Sequence, residues 1–261
     1  MPDIAEEEYD FLGRLAIAQS VEDFENAAVS FCSELFAVQS VIAMRYHSSQ
    51  RPEILFRWTS DERLRSIFNQ YYESLGYMLD PFYKLSFEVT DWKACPLREI
   101  APDRFEASDY FSKYFGVTKM VDELGFVART SETTAVHLSI GRNHGKQRFR
   151  AKEANKFKSV SKVLAPKLKS LVDGQSRAPT NSAPALEQRF LTLSIDRGEE
   201  ISMREAEVAT LIVQGHSSRA ISLKLGISGH TVKVHRRNLY GKLGISSQSE
   251  LFGLLTAFVE L

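Results

Sequence analysis

Six cations crowd the stretch between Glu207 and Glu250: Arg219, Lys224, Lys233, Arg236, Arg237 and Lys242, with no Asp or Glu among them. The whole chain carries 33 Lys and Arg against 33 Asp and Glu, so this is a local concentration and not an overall bias. A run of this kind suits polyanion binding, because each cation can neutralise a phosphate and release a counterion. The competing reading is a solvated cationic helix face, but such faces ordinarily mix signs.

Those cations need elements to hold them. Ile221 and Leu225 stand one helical turn apart, and Val232, His235 and Leu239 recur at helical spacing, with Gly226 between the two patterns. Ser228 precedes the second pattern, where its hydroxyl can accept a first-turn N–H. A short helix, a glycine turn and a cationic helix make a helix-turn-helix, whose second helix enters a DNA major groove. If that helix starts near Gly229, Val232 and Leu239 turn inward, and Lys233, Val234 and Arg237 form an exposed i, i+1, i+4 set.

The run ISMREAEVATLIVQGHSSRAISLKLGISGHTVKVHRRNLYGKLGISSQSEL resembles the DNA-binding domain of LuxR-type transcription regulators. The matching residues are Ser202, Arg204 and Glu205, then Gly215, Ser217 to Ile221, Leu225 to Ser228, Thr231 to His235, and Lys242 to Gly244. Met203, Ala209 and Ala220 stand where the family pattern has Pro, Leu and Glu. The resemblance implies that Lys233, Val234 and Arg237 touch base edges. Arg237 can meet guanine O6 and N7 in bidentate fashion, and Val234 a thymine methyl. Ser218, Arg219, Thr231, Arg236 and Lys242 are placed for phosphates. One small unit makes few contacts, so a homodimer on a two-fold symmetric site in double-stranded DNA is expected. Leu254, Leu255 and Phe258 of the last helix, read over residues 250–261, supply a dimer face or cover the domain core.

Composition narrows the class. The hydrophobic fraction (43%) and charged fraction (25%) are those of an ordinary soluble protein. No run reaches the length of a membrane span, the N-terminus is acidic, and a cytoplasmic location without membrane contact is expected. Cys32 and Cys95 are too far apart in sequence for metal-ligand spacing and read as reduced structural thiols. There is no Gly-rich phosphate loop, nucleophile elbow or HExxH. No enzyme, catalytic residue, metal or cofactor is therefore expected.

Ahead of the basic domain, the pattern reads ααββα–αββα. Residues 5–38 give two amphipathic helices, the first with a Tyr9, Leu12, Leu15, Ala16 stripe, and Ser20 with Asp23 forms a capping box. Strands are expected at 40–47 and 53–58 and again at 120–129 and 133–142, as two hairpins. Between them come a helix over 61–76, with Leu64, Ile67, Phe68 and Tyr71 on one stripe, and an aromatic helix ending at Gly116. A long helix follows over 148–172, bent near Pro166. Helices around an antiparallel sheet make an α+β fold: an α-β-α sandwich of the GAF or PAS type, plus an all-α helix-turn-helix domain. The order excludes a response-regulator receiver, which needs parallel βα repeats. DGQSRAPTNSAP breaks every periodicity, so the domains run 1–172 (sensor), 173–197 (linker) and 198–261 (DNA reader).

A sensor of this class can hold a small molecule between sheet and helices. Trp58, Tyr71, Tyr77, Asp80, Trp92 and Ser139 are the candidate ligand-binding residues; Asp80 can accept a ligand N–H and Tyr71 donate to a ligand carbonyl. Asp80-Pro81 also reads as a plain turn, and the tyrosines as core with hydroxyls at the rim. Ala135, His137, Ser139 and Gly141 share one face of their strand, which lines a cavity or seats a helix. The resemblance extends here: acyl-homoserine-lactone receptors carry a Tyr nine residues before Asp-Pro, as Tyr71 and Asp80-Pro81 do. Their lactone-clamping Trp falls on Ile67, and their second Trp on Cys95, three residues after Trp92. An acyl-homoserine lactone and a different small molecule both remain candidate signals, as does a scaffold that takes none.

Overall fold

The computed structural model describes residues 6–48, 50–61, 72, 75–173 and 185–257. The chain forms two compact units. One comprises Met1–Asn69, Pro81–Ile100 and Thr118–Ser182; the other comprises Gln70–Asp80, Ala101–Val117 and Ala183–Leu261.

The first unit is built on a five-stranded antiparallel sheet, in the order β2-β1-β5-β4-β3. The strands are β1 (Ser40–His47), β2 (Gln50–Thr59), β3 (Trp92–Pro96), β4 (Met120–Arg129) and β5 (Thr134–Asn143). β2 starts earlier than the sequence indicates and runs through Pro52. It is an edge strand, so a residue without an N–H can face away from the ladder there. β3 lies in the stretch the sequence left without structure; five residues are too few to show an alternation.

One sheet face is covered by helices α1 (Glu6–Ile17), α2 (Val21–Phe36) and a long helix, Ala151–Asp173. Val41, Ala43, Leu124, Phe126, Val136, Leu138 and Ile140 meet Phe24, Phe31, Phe36, Phe157, Leu164 and Leu168 in that core. The Ser20–Asp23 capping box forms: Ser20 Oγ accepts the Asp23 N–H at 3.0 Å, and the Asp23 carboxylate accepts the Ser20 N–H at 3.0 Å. The α1 stripe differs from expectation. Phe11, Leu15 and Ala18 are buried, whereas Tyr9 and Ala16 face solvent. Both stripes fit a helical period; the stacking of Phe11 on Phe31, with centroids 3.8 Å apart, goes with the observed one.

The opposite face carries a helix the sequence did not reveal, α3 (Pro81–Glu88). Asp80 is extended (φ −71°, ψ 123°) as expected before proline, but Pro81 opens a helix as well as ending the previous turn. Phe82 lies over His137, with ring centroids 4.7 Å apart. Gly125 makes room for it, since a Cβ there would stand 2.6 Å from Phe82 Cζ. His137 is sealed in this layer: Nδ1–H donates to the Phe126 carbonyl at 3.0 Å, and Tyr46 stacks on the ring. Burial pushes its pKa down to about 4 despite the carbonyl's opposing effect.

After β5 the chain enters α4 (Ala151–Asp173), which continues through Pro166. Arg142, at the end of β5, ties three elements together by donating to the Phe36 carbonyl and to Glu153 Oε1 while its guanidinium lies 4.1 Å over Phe149. The helix expected over 61–76, with Leu64, Ile67, Phe68 and Tyr71, lies outside the described residues apart from its ends.

In the second unit the aromatic segment does not end at Gly116. It runs as a 3₁₀ turn (Phe105–Ala107), a π-helical turn (Phe111–Phe115) and an α-helical turn (Gly116–Thr118), the last belonging to the first unit from Thr118 onward. Stacked rings hold the wide turn: Phe111 on Phe115 at 4.9 Å and Tyr110 on Tyr114 at 5.5 Å. Among the described residues of this unit, five α-helices follow: α5 (Leu186–Asp196), α6 (Met203–Val213), α7 (Ser218–Leu225), α8 (Gly229–Leu243) and α9 (Gln248–Ala257). α5 occupies much of the stretch read as linker.

Candidate nucleic-acid interface

The turn between α7 and α8 follows from local residue chemistry. Gly226 takes the left-handed conformation (φ +64°) that ends α7, a conformation costly to residues with a Cβ. Ser228 caps α8, its Oγ accepting the Thr231 N–H at 3.0 Å, and Ser217 caps α7 in the same way through the Ala220 N–H. Ser202 and Glu205 form a full capping box on α6. Val232, Leu239 and Leu243 point into the bundle, where they meet the α6 side of a core that also holds Phe190, Ile221, Leu251, Phe252 and Leu255. Leu255 is therefore core and unavailable as a dimer face; Leu254 is half-buried, and Phe258 lies outside the described residues.

Lys233 and Arg237 are exposed on the outer side of α8, one turn apart, with Val234 half-buried beside them. His230 and Asn238 are exposed on the same helix. The sequence reading missed both, although His230 stands three residues before Lys233 and extends the same stripe. Arg219 and Lys224 are exposed on α7; Ser218 and Thr231 are half-buried at the amino ends of their helices. Arg236 lies over the Tyr240 ring at 5.0 Å, which steers its guanidinium along the helix surface. α8 is roughly 22 Å long at 1.5 Å per residue, with a diameter that a major groove about 12 Å wide admits.

Lys242 departs from its expected role. Its Nζ donates to Glu205 Oε2 at 2.8 Å, tying α8 to the amino end of α6. Glu205 is buried, which pushes its carboxyl up. The Lys242 ammonium, with the Ser202 N–H and hydroxyl, outweighs burial and holds it below its ordinary 4.5. The cation assigned to a phosphate is thus engaged by an acid outside the acid-free stretch, and the expectation is corrected. Glu207 is likewise paired, with Arg204. The acids flanking the basic run therefore work within the domain, leaving the outer face of α8 positive.

Residues 199–255 match the family model of bacterial regulatory proteins, luxR family. The C-terminal domain belongs to that family.

Over a longer span, the chain is 27% identical across 184 residues to a putative HTH-type transcriptional regulator in the exeN 3′ region of Aeromonas salmonicida, covering 67% of this chain and 92% of that one. It is 41% identical over 61 residues to the transcriptional regulatory protein UhpA of Escherichia coli, covering 23% of this chain and only 31% of UhpA. By structure, it resembles the VqsR LBD domain from Pseudomonas aeruginosa, with a TM-score of 0.56 and 21% identity over 66% of this chain and all of that one. That likeness concerns the fold.

The candidate ligand residues of the N-terminal part are scattered. Trp58, on edge strand β2, pairs with Val41, and Trp92, on the opposite edge strand β3, pairs with Ala128. Both indoles pack on the core beneath α1, α2 and α4. Ser139 pairs with Ile42 and Gly125 and so faces the other way, on the His137 side of the sheet. The sheet's pleat therefore separates the two tryptophans from Ser139, correcting the expectation that they share a site. Tyr77 and Asp80 are buried in the second unit, where Tyr72 donates its hydroxyl to Asp80 Oδ2 at 2.5 Å. Tyr71, the donor expected for a ligand carbonyl, lies outside the described residues. Among the described residues no group of His, Cys, Asp or Glu is arranged to hold a metal ion, and no helix is long and apolar enough to cross a membrane.

Proposed function

We propose that this chain is a transcription regulator that binds double-stranded DNA as a homodimer in the cytoplasm, its N-terminal domain tuning deployment of the reader in response to a small signal molecule, in the manner of quorum-sensing regulators. The observation that carries the reading is the outer stripe of α8, His230, Lys233, Arg237 and Asn238, exposed and free of acids on a LuxR-family domain. α8 reads bases through Lys233, Val234 and Arg237, while Arg219, Ser218, Thr231 and Arg236 hold the phosphate backbone. The test is selection of duplexes from a random pool by the purified chain, followed by titration of the enriched sequence. Failure to enrich any sequence above background contradicts the reading.

A second reading, a ligand-independent scaffold, draws support from two observations. Asp80, the acceptor expected for a ligand, already receives the Tyr72 hydroxyl, and on the His137 side of the sheet Phe82 packs against His137 and Gly125. Mass spectrometry of compounds carried through purification from cell extract separates the two. A stoichiometric small molecule supports the sensor, and full DNA binding with no bound compound supports the scaffold.

A further inference from the structure

Residues 101–117 come from the middle of the chain, yet they cluster with the C-terminal helices in one compact unit. Four contacts among the described residues join them to the DNA reader. The Arg104 N–H donates to the Gly215 carbonyl at 2.9 Å, and the Ser217 N–H donates to Asp103 Oδ1 at 2.9 Å. Further along, Ser249 Oγ donates to Asp109 Oδ1 at 2.9 Å, and Lys113 Nζ lies 4.5 Å from the centre of the Phe252 ring. Gly215 admits the approach: a Cβ there would stand 3.2 Å from both Arg104 O and Phe105 Cα. Its φ of +92° is itself glycine territory.

The position of Asp103 is informative. Its carboxylate sits at the amino end of α7, on the N-cap Ser217, where free N–H groups and the helix dipole favour an anion. Burial raises its pKa, but the Ser217 hydroxyl and N–H and the nearby His216 lower it further, so it is ionised. The same end of α7 carries Ser218 and Arg219, which the DNA-binding reading places against phosphates. Asp103 is itself exposed, so water and competing anions can reach it. The Asp103–Ser217 and Asp109–Ser249 hydrogen bonds face solvent, where such bonds open at lower cost than buried ones.

We infer that residues 101–117 are an autoinhibitory latch: Asp103 occupies the amino end of α7 in place of a DNA phosphate, and the latch must lift before the helix-turn-helix seats on a duplex. The base of the latch is packed against the segment that carries Asp80, through Tyr114 on Tyr72 at 5.3 Å and the Tyr72–Asp80 hydrogen bond. A change in what Asp80 binds can thus reach the latch through adjoining rings.

The inference rests on the DNA-binding reading, and its test separates the two. Full-length wild type, Asp103→Ala and the charge-matched control Glu132→Gln, which alters an exposed site in the β4–β5 turn, are titrated with a random-sequence duplex. Amide exchange at residues 215–217 is followed in the same proteins without DNA. The latch predicts faster exchange at Ser217 and about threefold to tenfold tighter DNA binding for Asp103→Ala, with Glu132→Gln within twofold of wild type. Unchanged exchange overturns the latch whatever the DNA result. Equal tightening by both variants, or none by Asp103→Ala, overturns it too, because the gain is then long-range charge or absent. If exchange quickens but no protein binds DNA, the DNA-binding reading fails and takes the autoinhibitory role with it.

Discussion

At Lys242, a basic residue in a basic run serves the fold. Replacing it with Ala leaves Glu205 with its Ser202 contacts but without its cation, at a cost of about 1 kcal/mol of stability, given the half-open site. Urea unfolding of Lys242→Ala registers that loss. The slope of log affinity against log salt stays at the wild-type value, whereas Arg219→Ala lowers it by about 1. A second residue-scale consequence concerns acid. His137 is buried neutral with a pKa near 4 against an ordinary 6.5, so below pH 6.5 the unfolded chain takes up a proton the folded one refuses. Stability is complete above pH 6.5 and falls by about 3 kcal/mol as the pH drops to 4. The Glu205 carboxyl, held low, adds to the loss only below about pH 4.5. The His137 ring signals in NMR stay at their neutral position down to pH 5; titration near 6.5 refutes the sealed site.

Among the elements, those whose punctuation is written in single residues were legible. Ser20 and Asp23, Ser228 and Gly226 each act locally, so their roles needed no knowledge of the fold. The inward Val232 and Leu239 and the outward Lys233 and Arg237 followed from helical period alone. What escaped depends on partners distant in sequence. β3 is a strand only because β4 offers Leu124–Ala128 as a ladder, and α3 is placed by Phe82 finding the gap at Gly125. The π-helical turn rests on ring stacking, and Lys242 was misread because Glu205 is 37 residues away in sequence. The cap predicts its own experiment: Ser228→Ala removes the acceptor for the Thr231 N–H and costs about 1 kcal/mol. Amide exchange should localise the loosening to the first turn of α8, with DNA affinity falling alongside; uniform loosening of the whole domain runs against a local cap.

For the molecule as a whole, unlike charges are sorted by place. Acids at Glu205, Glu207 and Glu250 are spent on Lys242, Arg204 and the Ser246–Ser247 turn, and one face of a neutral chain stays basic. A monomer offers one short reading helix, so a two-fold site needs two copies, and sedimentation of the chain on a selected duplex should give two chains per duplex. The claim beneath all of this is that α8 reads bases with Arg237. The direct measurement compares Arg237→Ala with wild type on the selected duplex and on a random one at matched salt. The account predicts a loss of about 1–3 kcal/mol on the selected sequence and a much smaller one on random DNA. Equal losses on both would show that Arg237 holds only phosphates, and would contradict it.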